Sequence, residues 1–159
     1  MASNYCNSAV AVLEMEAKSS PAKFWEALLD STNLFPKLFP DRYKSIEIIH
    51  GDGLRAGTVR LIKYGEGMPM ITFAEQEIEV VNHVERLMSY SIMDGEMMSF
   101  FKRYKGSLKV EAKDDGGSLV RYCAEVDKVS EEVPDPDAIM EVLDKCFKEL
   151  DVYLMNNKD

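Results

Sequence analysis

Cysteine is scarce in these 159 residues: Cys6, Cys123 and Cys146 are odd in number, widely spaced and form no Cys-x-x-Cys pair. Histidine is scarcer still, at His50 and His83. That combination suggests neither a zinc site nor a disulfide framework. Cys123 and Cys146 fall in a strand pattern and a helix pattern, where a small hydrophobe is the default role. No apolar run approaches the ~20 residues that span a bilayer, and the opening Met-Ala-Ser-Asn-Tyr-Cys-Asn-Ser has neither a basic nor an apolar stretch. Positive charge is short as well, since 19 Lys and Arg against 28 Asp and Glu leave a formal charge of −9. Such a surface repels phosphate backbones and anionic membranes. The expectation is a reducing, cytoplasmic protein with no metal, no cofactor, no nucleic-acid or membrane partner, and a monomeric state.

Turn chemistry, by contrast, is plentiful, and it punctuates a long run of strand-like segments. Residues 58–64, 71–81, 86–93, 100–112 and 118–129 are separated by Gly65-Glu66-Gly67, Asn82-His83, Asp94-Gly95 and Asp115-Gly116-Gly117. Gly and Asn tolerate the positive φ that tight hairpins demand. Residues 9–17 and 44–50 add two earlier strands, with Glu14 and Glu16 alternating against Leu13 and Met15. Within 71–81, Glu75, Glu77 and Glu79 share a wet face, while Ala74, Gln76, Ile78 and Val80 share a dry one. Likewise Met88, Tyr90 and Ile92 oppose Ser89 and Ser91, and Val120, Tyr122, Ala124 and Val126 oppose Arg121, Glu125 and Asp127. A sheet with one solvated and one apolar side needs a cover on the latter.

Three helical patterns supply covers. Ser20 is placed to cap a helix with Pro21 at its first position and Phe24, Trp25, Leu28 and Leu29 as its apolar stripe. A short piece over 32–39 is expected to stop around Pro36 and Pro40. A long final helix, capped by Asp135 with Pro136 first, aligns Ile139, Val142, Leu143, Cys146, Phe147, Leu150, Tyr153 and Leu154. No repeat, low-complexity tract or linker interrupts residues 1–159, so a single domain is expected.

Several residues invite chemistry. The loop from Gly51 to Gly57, followed by Thr58, resembles a phosphate loop but lacks the Gly-Lys-Ser/Thr ending and joins two strands, which favours a plain hairpin. Met68, Met70, Met88, Met93, Met97, Met98 and Met140, with Tyr64, Tyr90, Tyr104 and Tyr122, suit either core filling or an adaptable cavity wall. Gln76 on a dry face must meet a neighbour, water or ligand, because an unpartnered buried amide costs about 1–3 kcal/mol. Arg60 shares one strand face with Ile62 and Tyr64, and the pattern leaves open which way that face points. His50 and His83 sit at turns, in solvent. No Cys-His or Ser-His-Asp set can be assembled, and ribonuclease chemistry lacks a His-His or His-Lys pair.

The ordered sum of short motifs resembles the major latex protein-like branch of the plant Bet v 1 (pathogenesis-related class 10) superfamily. The carrying segments are Ser20-Pro21-Ala22-Lys23-Phe24-Trp25, Leu34-Phe35-Pro36-Lys37, Gly51-Asp52-Gly53 through Gly57-Thr58, Tyr64-Gly65-Glu66-Gly67 and Met88-Ser89-Tyr90-Ser91-Ile92. Asp94-Gly95-Glu96-Met97, Tyr104-Lys105-Gly106 and Glu131-Glu132-Val133-Pro134-Asp135-Pro136 complete the set. The resemblance implies an α+β helix-grip fold: a seven-stranded curved antiparallel sheet wrapped around a long C-terminal helix, with two short helices and a large hydrophobic cavity. It implies binding of terpenoid, steroid, flavonoid or hormone-like plant metabolites, and it turns Arg60 inward. The implied cavity wall comprises Arg60, Ile62, Tyr64, Ala74, Gln76, Met88, Tyr90, Ile92, Met98, Tyr104, Leu108, Val120, Tyr122, Ala138, Ile139, Val142, Leu143 and Cys146.

Similar proteins include enzymes that condense alkaloid precursors with a lysine, a tyrosine and two carboxylates. This chain has Met88 at the matching lysine position, Ala74 and Gln76 for the tyrosine and one acid, and Gly106 or Ser107 for the other. A Pictet–Spengler condensation is therefore not expected. A cofactor-free cyclase or isomerase acting by confinement is the alternative to a carrier, with Tyr64, Gln76, Tyr90 or Tyr122 polarising a carbonyl.

Overall fold

The computed structural model describes residue 9 and residues 11–157. Cys6 and Val10 lie outside them. Seven strands form one antiparallel sheet in the order β1-β7-β6-β5-β4-β3-β2. They are β1 Ala11–Ala17, β2 Tyr43–His50, β3 Val59–Tyr64, β4 Phe73–Asn82, β5 Leu87–Gly95, β6 Phe101–Ala112 and β7 Ser118–Lys128. Strands β2 to β7 follow one another as hairpins, while β1 pairs with β7 at the far edge. The chain crosses from edge to edge through α1 (Pro21–Leu29) and α2 (Ser31–Leu38), and α3 (Asp137–Asn156) covers the concave face. This is the helix-grip arrangement that the family resemblance implied, with the two-faced sheet that strand alternation predicts.

Local chemistry explains most boundaries. Ser20 Oγ accepts the Lys23 N–H at 3.3 Å and Pro21 opens α1, as anticipated. The start of α3 differs. Pro136, not Asp135, is the capping residue, and no side chain caps the helix. The Asp135 carboxylate pairs with Lys128 Nζ at 2.8 Å instead. Pro36 also lies inside α2 rather than ending it. In a helix this short the proline forfeits little, and the Phe39 N–H closes the last turn on the Phe35 carbonyl at 2.8 Å.

Two further differences come from the sheet. The register shifts between Ile78 and Val80, so a bulge flips the alternation and leaves Val80 outside the dry face, 39 % exposed. The β4–β5 connection runs to Arg86, whose φ of 52° is left-handed, so β5 begins one residue later than its pattern suggests. Cys123 is disulfide-bonded, against the expectation of a small hydrophobe and of no disulfide in this chain. Cys146 is a buried free thiol. The α3 helix is pinned to the opposite edge by Asp151, whose carboxylate accepts the Lys18 and Ser19 N–H groups at 2.9 Å and the Ser19 hydroxyl at 2.7 Å.

Candidate functional site

A cavity of about 80 Å³ lies between α3 and the concave face of β2 to β7. Its wall includes Arg60 and Ile62 of β3, Gln76 of β4, and Met88, Tyr90 and Ile92 of β5. Tyr64, Tyr104, Leu108, Tyr122, Ile139 and Leu143 also line it, as anticipated. The other anticipated wall residues do not. Ala74 and Val120 are sealed in the packed sheet, Met98 and Val142 are half-buried beside the core, and Ala138 faces an outer pocket. Cys146 turns towards Arg42, whose Nη1 donates to its sulfur at 3.4 Å. Burial pushes the Cys146 thiol up to about 11.

Sequence reading missed the wall contributed by the helices and the first edge: Leu28, Ser31, Phe35, Tyr43, Ile46 and Phe147. Leu28 and Phe147 were visible as stripe residues, but nothing in a stripe separates a packed position from a cavity-facing one. Ile71 also lines the cavity, from a loop rather than from the strand to which its pattern assigned it. Of the methionines, Met68, Met88 and Met97 line the cavity, Met70 and Met93 are exposed, and Met140 is buried core.

The volume is smaller than the family resemblance implied, because ligand pockets commonly span about 300–1,000 Å³. A second, apolar pocket of about 360 Å³ opens beside it, between the β3–β4 loop, the single turn of 3-10 helix Glu96–Ser99, and the start of α3. Ile71, Met97 and Ile139 line both spaces, so the partition between them is one layer of side chains. Glu96 steadies this region: its carboxylate accepts the Thr72 and Phe73 N–H groups at 2.9 and 3.1 Å and the Thr72 hydroxyl.

Polar groups in the cavity fall into two clusters. Tyr122 is the centre of the first, with its hydroxyl 2.8 Å from those of both Tyr90 and Tyr104. Gly106 makes room for it: a Cβ there would lie 2.6 Å from the Tyr90 ring and 2.7 Å from the Tyr122 hydroxyl. Burial raises the hydroxyls of Tyr43, Tyr64, Tyr90, Tyr104 and Tyr122 above the ordinary phenol value, so all are neutral donors near pH 7. The second cluster surrounds Arg60, which pairs across strands with Gln76. Its Nε donates to Gln76 Oε1 at 3.0 Å, and its Nη1 donates to Ser31 Oγ at 2.8 Å and Thr32 Oγ1 at 3.1 Å. Nη2 donates to Gln76 Oε1 as well. Arg60 therefore points inward, and Gln76 finds its partner there.

The wall has no carboxylate, histidine, lysine or thiol among the described residues. The positions that would carry a condensing lysine and its partners hold Met88, Ala74 and Gln76, so no residue there can take a proton near neutral pH. The glycine loop is a closed structural turn: Asp52 Oδ1 accepts the Leu54 and Arg55 N–H groups at 2.8 and 3.0 Å, and Thr58 Oγ1 accepts that of Gly53 at 3.2 Å. A carboxylate already sits where an anion would go. His83, exposed at its turn, accepts the Trp25 indole N–H at 3.2 Å.

Comparison with known proteins agrees with this geometry. A profile of the pathogenesis-related protein Bet v 1 family matches residues 7–157. The chain is 46 % identical over 148 residues to MLP-like protein 423 of Arabidopsis thaliana, covering 93 % of this chain and 95 % of that one. The crystal structure of ginseng major latex-like protein 151 from Panax ginseng superposes with a TM-score of 0.82 at 19 % identity, over 90 % of this chain and 95 % of that one. A Thalictrum norcoclaurine synthase point mutant in complex with a transition-state analogue superposes with a TM-score of 0.72 at 18 % identity, over 90 % and 93 %. At those identities the two structures speak for the fold alone.

Proposed function

The chain belongs to the pathogenesis-related protein Bet v 1 family, and we propose that it is a carrier that holds a hydrophobic small plant metabolite between α3 and the sheet. The observation that supports this most is the character of the wall: apolar, with polar groups that can orient a guest but no general base. A guest of terpenoid or steroid size must push aside methionine and isoleucine side chains at Met97, Ile71 and Ile139 to use the outer pocket too. Methionine re-packs at low cost, which suits that demand. In this reading the protein acts as one monomeric cytoplasmic domain in plant defence, without nucleic acid or membrane.

Native mass spectrometry after exposure to a plant metabolite extract tests the carrier. The expected result is a one-to-one complex with an apolar compound that survives desalting. A spectrum of unliganded protein across extracts would overturn it. The phenol cluster of Tyr90, Tyr104 and Tyr122 favours a second reading, cyclisation of a reactive iridoid or monoterpenoid enol or aldehyde by confinement. Sub-stoichiometric protein that changes product stereochemistry supports it; an unchanged product ratio removes it.

A further inference from the structure

Apolar guests explain the walls of the chamber but not the guanidinium in it. Arg60 is 9 % exposed and stays charged at any ordinary pH. A buried charge without a counter-charge is costly. The hydrogen bonds that Arg60 makes all end on neutral oxygens, those of Gln76, Ser31 and Thr32. The other hydrogen on Nη2 has no acceptor among the described residues. Burial works against its charge, and the groups that oppose this are the phenols of Tyr43, Tyr90 and Tyr64, with no carboxylate among them. Glu75 and Glu77, its neighbours on β4, lie on the opposite face from Gln76. Tyr43 and Tyr64 line the same space and make no side-chain hydrogen bond with a described residue, and the one carboxylate that acts on Tyr64, Glu96, is already held by Thr72 and Phe73.

We propose that the chamber is built for an apolar monoanion, a carboxylate on a hydrocarbon body, whose head group pairs with Arg60 and accepts from Tyr43 and Tyr64. The proposal rests on the carrier reading above and narrows its ligand class. Geometry also orients the guest. The outer pocket is lined by Asp137 and the Lys128-paired Asp135 and by no cation, so a carboxylate finds its counter-charge at Arg60 instead. The hydrocarbon then runs towards Ile71, Met97 and Ile139, the side chains shared by both spaces. A charge-assisted pair with a largely buried guanidinium outweighs the diffuse repulsion of an acidic surface, which physiological salt screens.

The test uses N-phenyl-1-naphthylamine, a neutral fluorescent probe, displaced by decanoate or by 1-decanol. Wild-type protein should release the probe at a decanoate concentration about tenfold below that of decanol. Arg60→Met should lose the preference, so that decanoate and decanol release the probe at similar concentrations. If the probe never binds, the carrier reading fails and takes this proposal with it. If the probe binds but decanol competes as well as decanoate, the carrier stands and the anion site falls. Retention of the preference in Arg60→Met would overturn it too. Should that variant fail to fold by circular dichroism, the decanoate–decanol comparison on the wild type decides alone.

Discussion

The two halves of the concave face differ although one sheet and one helix build both. Around β1, β7, α1 and the far end of α3, Phe24, Val120, Ala124 and Leu150 are sealed at 0 % exposure. Phe24 meets Phe147, which borders the cavity, edge-on at 6.2 Å. Around β2 to β5, the same face is made of Tyr43, Arg60, Tyr64, Gln76, Met88 and Tyr90, and a cavity remains. Compact hydrocarbons interlock to a dense core. Long methionines, phenols and a guanidinium tied to neutral oxygens do not fill space as completely. The contrast teaches that the solid half carries stability and frees the other half to stay hollow.

Substitutions can break that contrast, and the largest effect is expected in the solid half. Phe24→Ala should cost about 3–5 kcal/mol in denaturant unfolding. Met88→Ala, in the hollow half, should cost less, about 2 kcal/mol, and enlarge the space for a guest, so binding of a neutral dye should tighten. Equal losses in both variants would erase the distinction. Gly106→Ala should cost about 1–3 kcal/mol, because the new methyl must displace the Tyr90 ring and the Tyr122 hydroxyl. Its mark beyond stability is a changed near-ultraviolet tyrosine signal. Tyr90→Phe should cost about 1 kcal/mol, since Tyr122 keeps its bond to Tyr104.

The smallest effect concerns the partition beside the outer pocket. Hydrogen bonds from Thr72 and Phe73 hold the Glu96 carboxyl down at about 2, against an ordinary 4.5. A carboxyl lowered on folding contributes stability above the unfolded value and loses it as pH falls through the folded one. The Thr72 amide should therefore stay protected from hydrogen exchange through pH 4 and lose protection only as pH approaches 2. An NMR titration midpoint for Glu96 near 4.5 would contradict this clamp.

Alternation made the sheet legible from sequence, because a period of two records which face is wet at every residue of Glu75, Gln76, Glu77 and Ile78. It failed at Val80, since a bulge depends on cross-strand register that one strand does not display. The α3 stripe was legible, but its cap was not: Asp135 had Lys128, distant in the chain, as a competing partner. The cavity was legible where a polar residue sat on a dry strand face, as with Gln76 and Tyr90. It was invisible where α1, α2 and β2 close it, because Ser31 and Tyr43 become wall only through the packing of elements. Its small volume was hidden for the same reason, since it depends on how lining side chains such as Met68, Met88 and Met97 pack.

The central claim is that the half under β2 to β5 admits a guest while the other half does not. Isoleucines report on the first, since Ile46, Ile62, Ile71, Ile92 and Ile139 all line the cavity, and Val110 and Val120 report on the second. In a methyl NMR titration with N-phenyl-1-naphthylamine, those isoleucine methyls should shift together and saturate while the valines stay put. Shifts confined to exposed methyls such as Val84 and Val152, or none at all, would contradict the account.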